Sequence, residues 1–504
     1  MRTAAACLCA LVALAAAPAA AQYVPPAPAA TTPGAPPPAA EPQGADIALS
    51  LPEAVALGLR QNRQIRSAYL DRTLQKFDTL LSETRFEPKL QGVTIGASRD
   101  WRATPATGTT ISDDVNVGVT PVIRWDLPTG GSLTTGTSVT HSMVRGAAAA
   151  RDGSTSWTVD LTQPLLKGGG LEVGMAPLRK ARLGEKSNIL ALKGTVSGQV
   201  KAIIDAYYTL VLAQQNRVIA RNGLERARNL MEVNRALIAA GRMADNEIFQ
   251  TETNIANQEF AVLRADNDFT AARRALLTLL GLEPTANVIP GEEVVAEPLT
   301  VNLEQARTLA FENNPDYLRQ LIGLEQSKID MMLSENARLW DLDLTVGHTE
   351  SRDGATTLGR YGGQADAAGT SVGLNLTIPL DRRPIQRDSL AAKIALQKAE
   401  WAVDDAREAV EKGVRDAVRN VDVFWRQLEL ARRARVLAEQ TLEVEMVKLR
   451  NGRTSNFQLL SVEDSLRQAE QQELSAVIAY LGALATLDQQ LGTTLDTWSI
   501  SLND

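Results

Sequence analysis

The 504-residue sequence predicts an α+β membrane protein assembled from two internal repeats of one plan: a short helix, β-strands, then a long helical hairpin. Three observations predict it. From Pro384 onward there is no proline, and a helical pattern runs from about Ile385 to Arg450, breaks at Asn451-Gly452-Arg453-Thr454, and resumes from Ser455 to about Leu491. The opening of the chain recurs half a chain later. After each copy the apolar period switches from helical to two.

The N-terminus reads as a secretory signal peptide over Met1–Ala21: Arg2 is the positive end, Ala10–Ala16 the apolar run, and Ala19-Ala20-Ala21 the small-residue cleavage site. Both cysteines, Cys7 and Cys9, fall inside it, which leaves the mature chain without a disulfide, a cysteine metal site or a cysteine for a lipid anchor. Residues 22–45 are Pro/Ala-rich and nearly uncharged, and predict an extended linker. A formal charge of −7 and the lack of a basic stripe speak against nucleic acid. No later stretch is apolar enough for a transmembrane helix.

The repeat begins where Leu49-Ser50-Leu51-Pro52-Glu53-Ala54 resembles Val301-Asn302-Leu303-Glu304-Gln305-Ala306, and its register holds through Asn62/Asn314 and Ser82-Glu83/Ser334-Glu335. It divides the chain into residues 46–300 and 301–495, with a tail at 496–504. Each copy opens with a helix, 50–84 and 304–338, capped by Ser50 or Asn302. Strand-like alternation follows over 89–101, 115–127, 132–144 and 155–165, within a strand region of 89–165, and over 341–347 and 371–380, within 341–380. Trp101, Trp125, Trp157 and Trp340 sit in or beside these segments, as membrane-interface aromatics do. The pair 115–127 and 132–144 has no counterpart in the second half. The pattern alone allows it to project from the sheet or to extend the sheet's outer mouth.

A long arm then runs from Pro177 to Ala240, turns at Gly241-Arg242-Met243-Ala244, and returns over 245–281, which matches the second hairpin and its turn at 451–454. Gly241 and Gly452 suit the left-handed position that ends a helix. Ser455-Asn456-Phe457-Gln458 reads as a capping box. The arm before each turn has about 65 residues, roughly 95–100 Å at 1.5 Å per residue, and the arm after it about 37. The shortfall is nearly one short helix, so two shorter helices are expected to stack beside each long one: 245–281 continued by 304–338, and 455–491 by 50–84. The linker 282–300 then forms a belt at mid-height. Apolar stripes this long need neighbours, which implies an oligomer.

On these features the chain resembles the TolC-like outer-membrane efflux proteins. The resemblance rests on the duplicated start, the strand-end signatures Thr162-Gln163-Pro164-Leu165-Leu166-Lys167-Gly168-Gly169-Gly170 and Ile378-Pro379-Leu380, and the tip Asn451–Leu460, and it covers about residues 46–495. It implies a homotrimer whose strands close one shared transmembrane β-barrel in outer-membrane lipid and whose helices form a long α-helical barrel in the periplasm. It further implies a passive export duct of a tripartite efflux or type I secretion system, served by a periplasmic adaptor (membrane fusion protein) and an inner-membrane pump. By position, Gly241, Arg242, Met243, Gly452, Arg453, Thr454 and Ser455 are the adaptor-docking candidates, the glycines also serving as helix caps. Some relatives narrow the entrance with acidic rings. The matching positions here, Gln458 and Ser461, are neutral, and Glu247 is the first-half counterpart of Gln458. Glu463 and Asp464, a turn deeper, are placed to supply an acidic lining, although exposed helix charge is the first reading.

Nothing suggests an enzyme, a cofactor or a metal site. His141 and His348 stand apart in separate strands and are expected on a polar face; acidic pairs such as Asp404-Asp405 and Glu292-Glu293 read as solvated. Two other readings compete: a periplasm-spanning structural coiled coil without a pore, and a periplasmic adaptor, although adaptors carry one hairpin rather than two.

Overall fold

A computed structural model describes residues 47–105, 109–145, 150–291, 295–354, 366–451 and 453–502, without the side chains of 101–105, 109–114, 144–145, 150–152 and 354. The expected signal segment and linker (1–45), the Glu292-Glu293 pair and Gly452 lie outside the described residues.

Strand β1 (Ile47–Leu49) leads into α1 (Leu51–Gln61) through Ser50, which closes a capping box: its hydroxyl accepts from Glu53 N, and the Glu53 carboxylate accepts from Ser50 N at 2.9 Å. The helix expected over 50–84 is broken at Asn62 and restarts as α2 (Arg63–Glu83). Strands β2 (Lys89–Pro105), β3 (Thr109–Asp126), β4 (Ser132–Arg145) and β5 (Ala150–Pro164) follow, then a single turn α3 (Leu171–Gly174) and the long α4 (Ala176–Ala239). Next come α5 (Ile248–Leu280) and β6 (Val288–Pro290). The second half follows the same order: α6 (Leu303–Asn313), α7 (Pro315–Asn336), β7 (Asp341–Gly354), β8 (Ala367–Thr377), α8 (Arg383–Arg450) and α9 (Asn456–Leu491), with a last turn α10 (Thr494–Thr497). The strands run further than expected, at 11 to 18 residues.

The helices stand in four neighbouring columns. Columns α4 and α8 are continuous. The other two are jointed, and here the structure corrects the expected pairing. Helix α5 is continued by α2, and α9 by α7, each within its own half of the chain. Asparagines make both joints. Asn62 accepts from Gln64 N and Ile65 N, capping α2, while its Nδ2 donates to Leu279 O in the last turn of α5 at 2.8 Å. Asn314 does the same between α7 and α9: it accepts from Asp316 N and Tyr317 N and donates to Gln490 O at 3.2 Å. One carboxamide thus satisfies orphan amides of one helix and an orphan carbonyl of another. Gly281 and Gly492 end α5 and α9 at φ of 71° and 72°, and a Cβ there would meet the carbonyl oxygens of Gln61 and Asn313 at 2.7 and 2.4 Å. The joints close only on glycine.

A belt surrounds the joints. Strand β6, from the 282–300 linker, pairs in parallel with β1. Tyr207, buried on α4, donates to Leu49 O at 3.1 Å; Tyr480, buried on α9, donates to Glu297 O at 2.7 Å and accepts from Leu299 N. The two main cores lie at this height, one around Ile65, Ile203, Tyr207 and Leu280, the other around Val414, Leu428 and Tyr480. Trp498, Ile500 and Leu502 of the C-terminal tail pack on the first.

The strands form one antiparallel sheet in the order β2-β3-β4-β5-β7-β8. The β3–β4 pair neither projects from it nor caps its mouth. It is a full-height part of the sheet, between β2 and β5.

Candidate functional site: a two-faced sheet and two helical tips

Alternation along each strand sends successive side chains to opposite faces. The observed register aligns the apolar sets of all six strands. Ile95 pairs with Val119, Val119 with Val139, Leu161 with Leu133 and Val346, and Leu344 with Leu374. Trp125 and Trp157 stand on the same face. The other face holds Thr120, Ser138, Thr140, Ser154 and Asn375, joined in part by hydroxyl hydrogen bonds: Thr120 Oγ1 to Ser138 Oγ at 3.2 Å, Thr140 to Ser154 at 2.7 Å. The apolar face is uncovered at the sheet's edge strands, where Ile95 is 75% and Val372 71% exposed.

The histidines depart from expectation. Register pairs His141 with Val117 and His348 with Val159, which puts both on the apolar face. Trp157 packs edge-on to His348 at 6.2 Å, and His348 Nδ1 is 2.8 Å from Thr370 Oγ1. Among the described residues no group of His, Cys, Asp and Glu is placed to hold a metal, and no helix is long and apolar enough to cross a membrane.

The sheet is fixed to the helices at one end. Lys167 pairs with Asp341 at 2.8 Å, and Gly168 N donates to Asn336 Oδ1 at 2.7 Å. Just beyond, Arg72 of α2 is buried against Glu185 of α4, with Arg72 Nη1 to Glu185 Oε2 at 2.8 Å and Thr79 Oγ1 adding a third donor. The Arg72 guanidinium holds the Glu185 carboxyl below its ordinary value against the opposing effect of burial.

At the far ends of the long helices the two tips share one closing bond. Gly241, at φ 66°, donates to Ile238 O, and Arg242 N to Leu237 O at 2.8 Å, the two bonds of a Schellman cap. Arg453 N donates to Lys448 O at 2.9 Å, the corresponding bond of the second tip. Ser455 accepts from Gln458 N at 3.2 Å and so caps α9; the expected return bond from the Gln458 side chain is not among the bonds of the described residues. Arg242, Arg453, Ser455 and Ser461 are exposed, Thr454 and Glu247 half-buried. Met243 packs against a small core of Leu230, Leu449 and Leu459, which joins the hairpins.

Sequence reasoning missed what lies beside that core. Asn234, Thr251 and Asn456, all fully buried, bond to one another: Asn234 Nδ2 to Thr251 Oγ1 at 2.7 Å and to Asn456 Oδ1 at 3.1 Å, and Asn456 Nδ2 to Thr251 Oγ1 at 3.2 Å. The available signal was Asn234 itself, a polar residue between Leu230 and Leu237 in an apolar stripe. Phe249 and Phe457, 66% and 70% exposed near the tips, were also missed. Glu463 does not behave as exposed helix charge: it faces Arg226 of α4, and burial pushes its carboxyl up while Arg226 pulls it down. Asp464 is exposed and pairs with Arg467.

This geometry of long jointed columns carrying a two-faced antiparallel sheet has known counterparts, and the sequence over 306–493 matches the family described as outer membrane efflux protein. The described residues have the fold of solved outer membrane channels. The chain superposes on the CmeC outer membrane channel of Campylobacter jejuni with a TM-score of 0.68 at 13% identity, over 93% of this chain and 94% of that one. It matches VceC of Vibrio cholerae at 0.66 and 13%, over 88% and 96%. The open state of the MtrE channel of Neisseria gonorrhoeae gives 0.63 and 15%, over 88% and 89%. No curated protein sequence matches the chain.

Proposed function

We propose that the protein is a passive outer-membrane export duct of a tripartite efflux or type I secretion system, built as a homotrimer from two repeats per chain, 46–300 and 301–495. The observation that carries this reading is that sheet and helical wall are left open at both edges of one chain. Among the described residues, β2 and β8 each have one edge without a strand partner, and they run antiparallel to each other. Below β2, α2 exposes Leu70, Leu74, Phe77 and Leu81; below β8, α8 exposes Val423, Leu430, Leu437 and Val444, a heptad stripe. Free edges and bare stripes call for the same remedy, a neighbouring copy joined edge to edge until the ring closes. The apolar face then meets lipid and the polar face lines the duct.

A pore-free coiled coil leaves the two-faced sheet without a purpose, and an adaptor has no use for two hairpins. In the duct reading, Gly241, Arg242, Gly452, Arg453, Thr454 and Ser455 present the tips to a periplasmic adaptor fed by an inner-membrane pump, with Met243 holding the tips together. Gln458, Ser461 and Glu247 line the entrance, which lacks a full acidic ring. The test is reconstitution of the purified protein in planar bilayers with its mass measured in detergent. Single channels from a trimer are expected; a monomer without conductance overturns the reading.

A further inference from the structure

The two halves of the chain share one order of elements but not one number of strands. The second half contributes the hairpin β7–β8; the first contributes two, β2–β3 and β4–β5. Resting on the duct reading, we propose that the β3–β4 strands are an in-wall insertion, so that three copies of this six-stranded sheet close an eighteen-stranded barrel rather than the twelve-stranded one that a single hairpin per half would give.

Four observations carry the proposal. The strands of the insertion are paired along both flanks, β3 to β2 from Lys89↔Arg124 to Pro105↔Thr109, and β4 to β5 from Ser132↔Thr162 to Val144↔Ala150. At 18 and 14 residues, both exceed the roughly 9–11 needed to cross a bilayer. The apolar face continues through them without a change of side: Val117, Val119 and Ile123 are about 40% exposed, whereas Gly118, Thr120 and Val122 on the other face are less so.

Finally, the turn at the base of the insertion is anchored where the sheet meets the helices. Thr129 O accepts from Gly170 N at 3.1 Å, and Thr129 Oγ1 donates to Gln163 at 2.7 Å. A Cβ on Gly174 would stand 2.1 Å from Pro128 O, so the turn is seated against the start of the long helix. On the other flank, Trp125 Nε1 donates to Phe86 O at 2.8 Å. A flap hanging beside a barrel needs none of these bonds.

The consequence is width. Barrel diameter grows roughly linearly with strand number, and barrels of about 16–18 strands leave an open aqueous channel. The lumen therefore admits hydrated polymers, an unfolded polypeptide among them, and selection of cargo by size falls to the helical part. Insertion of an even number of strands keeps β2 antiparallel to β5, so excision leaves a sheet that can still close.

Two measurements test the proposal. Spin labels at 117, 119, 138 and 140 in the reconstituted protein are expected to alternate, the odd positions relaxed by lipid-soluble oxygen and the even ones by an aqueous nickel chelate. Labels at 346 and 374 serve as the reference. Aqueous exposure at all four test positions with lipid exposure at the reference overturns the insertion alone; aqueous exposure at the reference as well overturns the barrel. A variant joining residue 105 to residue 150 is expected to lose about half its conductance and to exclude polyethylene glycols that the native channel admits from the strand mouth. Unchanged conductance and polymer cutoff in a folded variant overturn the wider barrel. Should the variant not fold, the label pattern still decides.

Discussion

Helices α4 and α8 hold the same place in the two halves of the chain and have nearly the same length, 64 and 68 residues, yet they live in different surroundings. Helix α4 buries eighteen residues and touches α2, α5, α7 and α9. Helix α8 buries seven and leaves its heptad stripe bare. The same order of elements thus gives an inner column packed on several sides within the chain and an outer column with a bare apolar stripe, which the proposed neighbouring copy would cover. The difference lies in packing, since both helices carry apolar residues at helical spacing.

The sharpest way to break this comparison is to charge both columns. Val200→Asp on α4 buries an unpaired carboxylate and is expected to cost about 4 kcal/mol or more, read as loss of the folded chain in chemical denaturation. Leu430→Glu with Leu437→Glu on α8 is expected to leave helicity by circular dichroism intact and to abolish the trimer in native electrophoresis. A folded trimer of the α8 double variant would remove the outer-column argument.

Next in size is the Arg72–Glu185 pair, for which Arg72→Ala is expected to cost about 2 kcal/mol. Because the Glu185 carboxyl lies below its ordinary 4.5, the pair's stabilisation is present above that value and fades as pH falls through the lowered one. Glu185→Gln should flatten that acid limb of a stability–pH profile; an unchanged limb would show that the pair does not govern it.

The joints should respond alike. Asn62→Ala and Asn314→Ala each remove a helix cap and a bond between helices, for an expected loss of about 1–2 kcal/mol apiece in urea midpoints. A large inequality would mean that the two halves are not equivalent at the belt.

The smallest effect is a gain. Burial raises the Glu463 carboxyl, so its folded state is favoured at low pH and that advantage is lost as pH rises. Glu463→Gln should therefore stabilise slightly at neutral pH, by less than about 1 kcal/mol, with little change in acid; destabilisation at pH 7 would mean that the contact with Arg226 outweighs burial.

Local chemistry made much of this fold readable. Ser50, Asn302, Gly241 and Ser455 act through their own backbone neighbourhood, and sequence spacing is enough to place them. The columns' partners were another matter. Arm lengths call for stacked short helices but are the same whichever short helix follows which arm, so they do not distinguish pairing across halves from the pairing within halves that Asn62 and Asn314 fix. The two asparagines align as equivalents in sequence, but the second hydrogen bond of each reaches a residue 217 away for Asn62 and 176 away for Asn314. Faces of strands were likewise ambiguous for His141 and His348, because histidine suits either face until the register is known. The place of β3–β4 depended on pairing with both neighbours, and no single strand's alternation reveals that.

The asparagine joints also have a mechanical meaning. A continuous helix resists bending along its whole length, whereas a column interrupted at one residue bends most easily there. In this wall stiff rods alternate with hinged ones, and both hinges lie at the belt. The continuous columns α4 and α8 carry a push on the tips past that waist, while the jointed columns can yield first at Asn62 and Asn314.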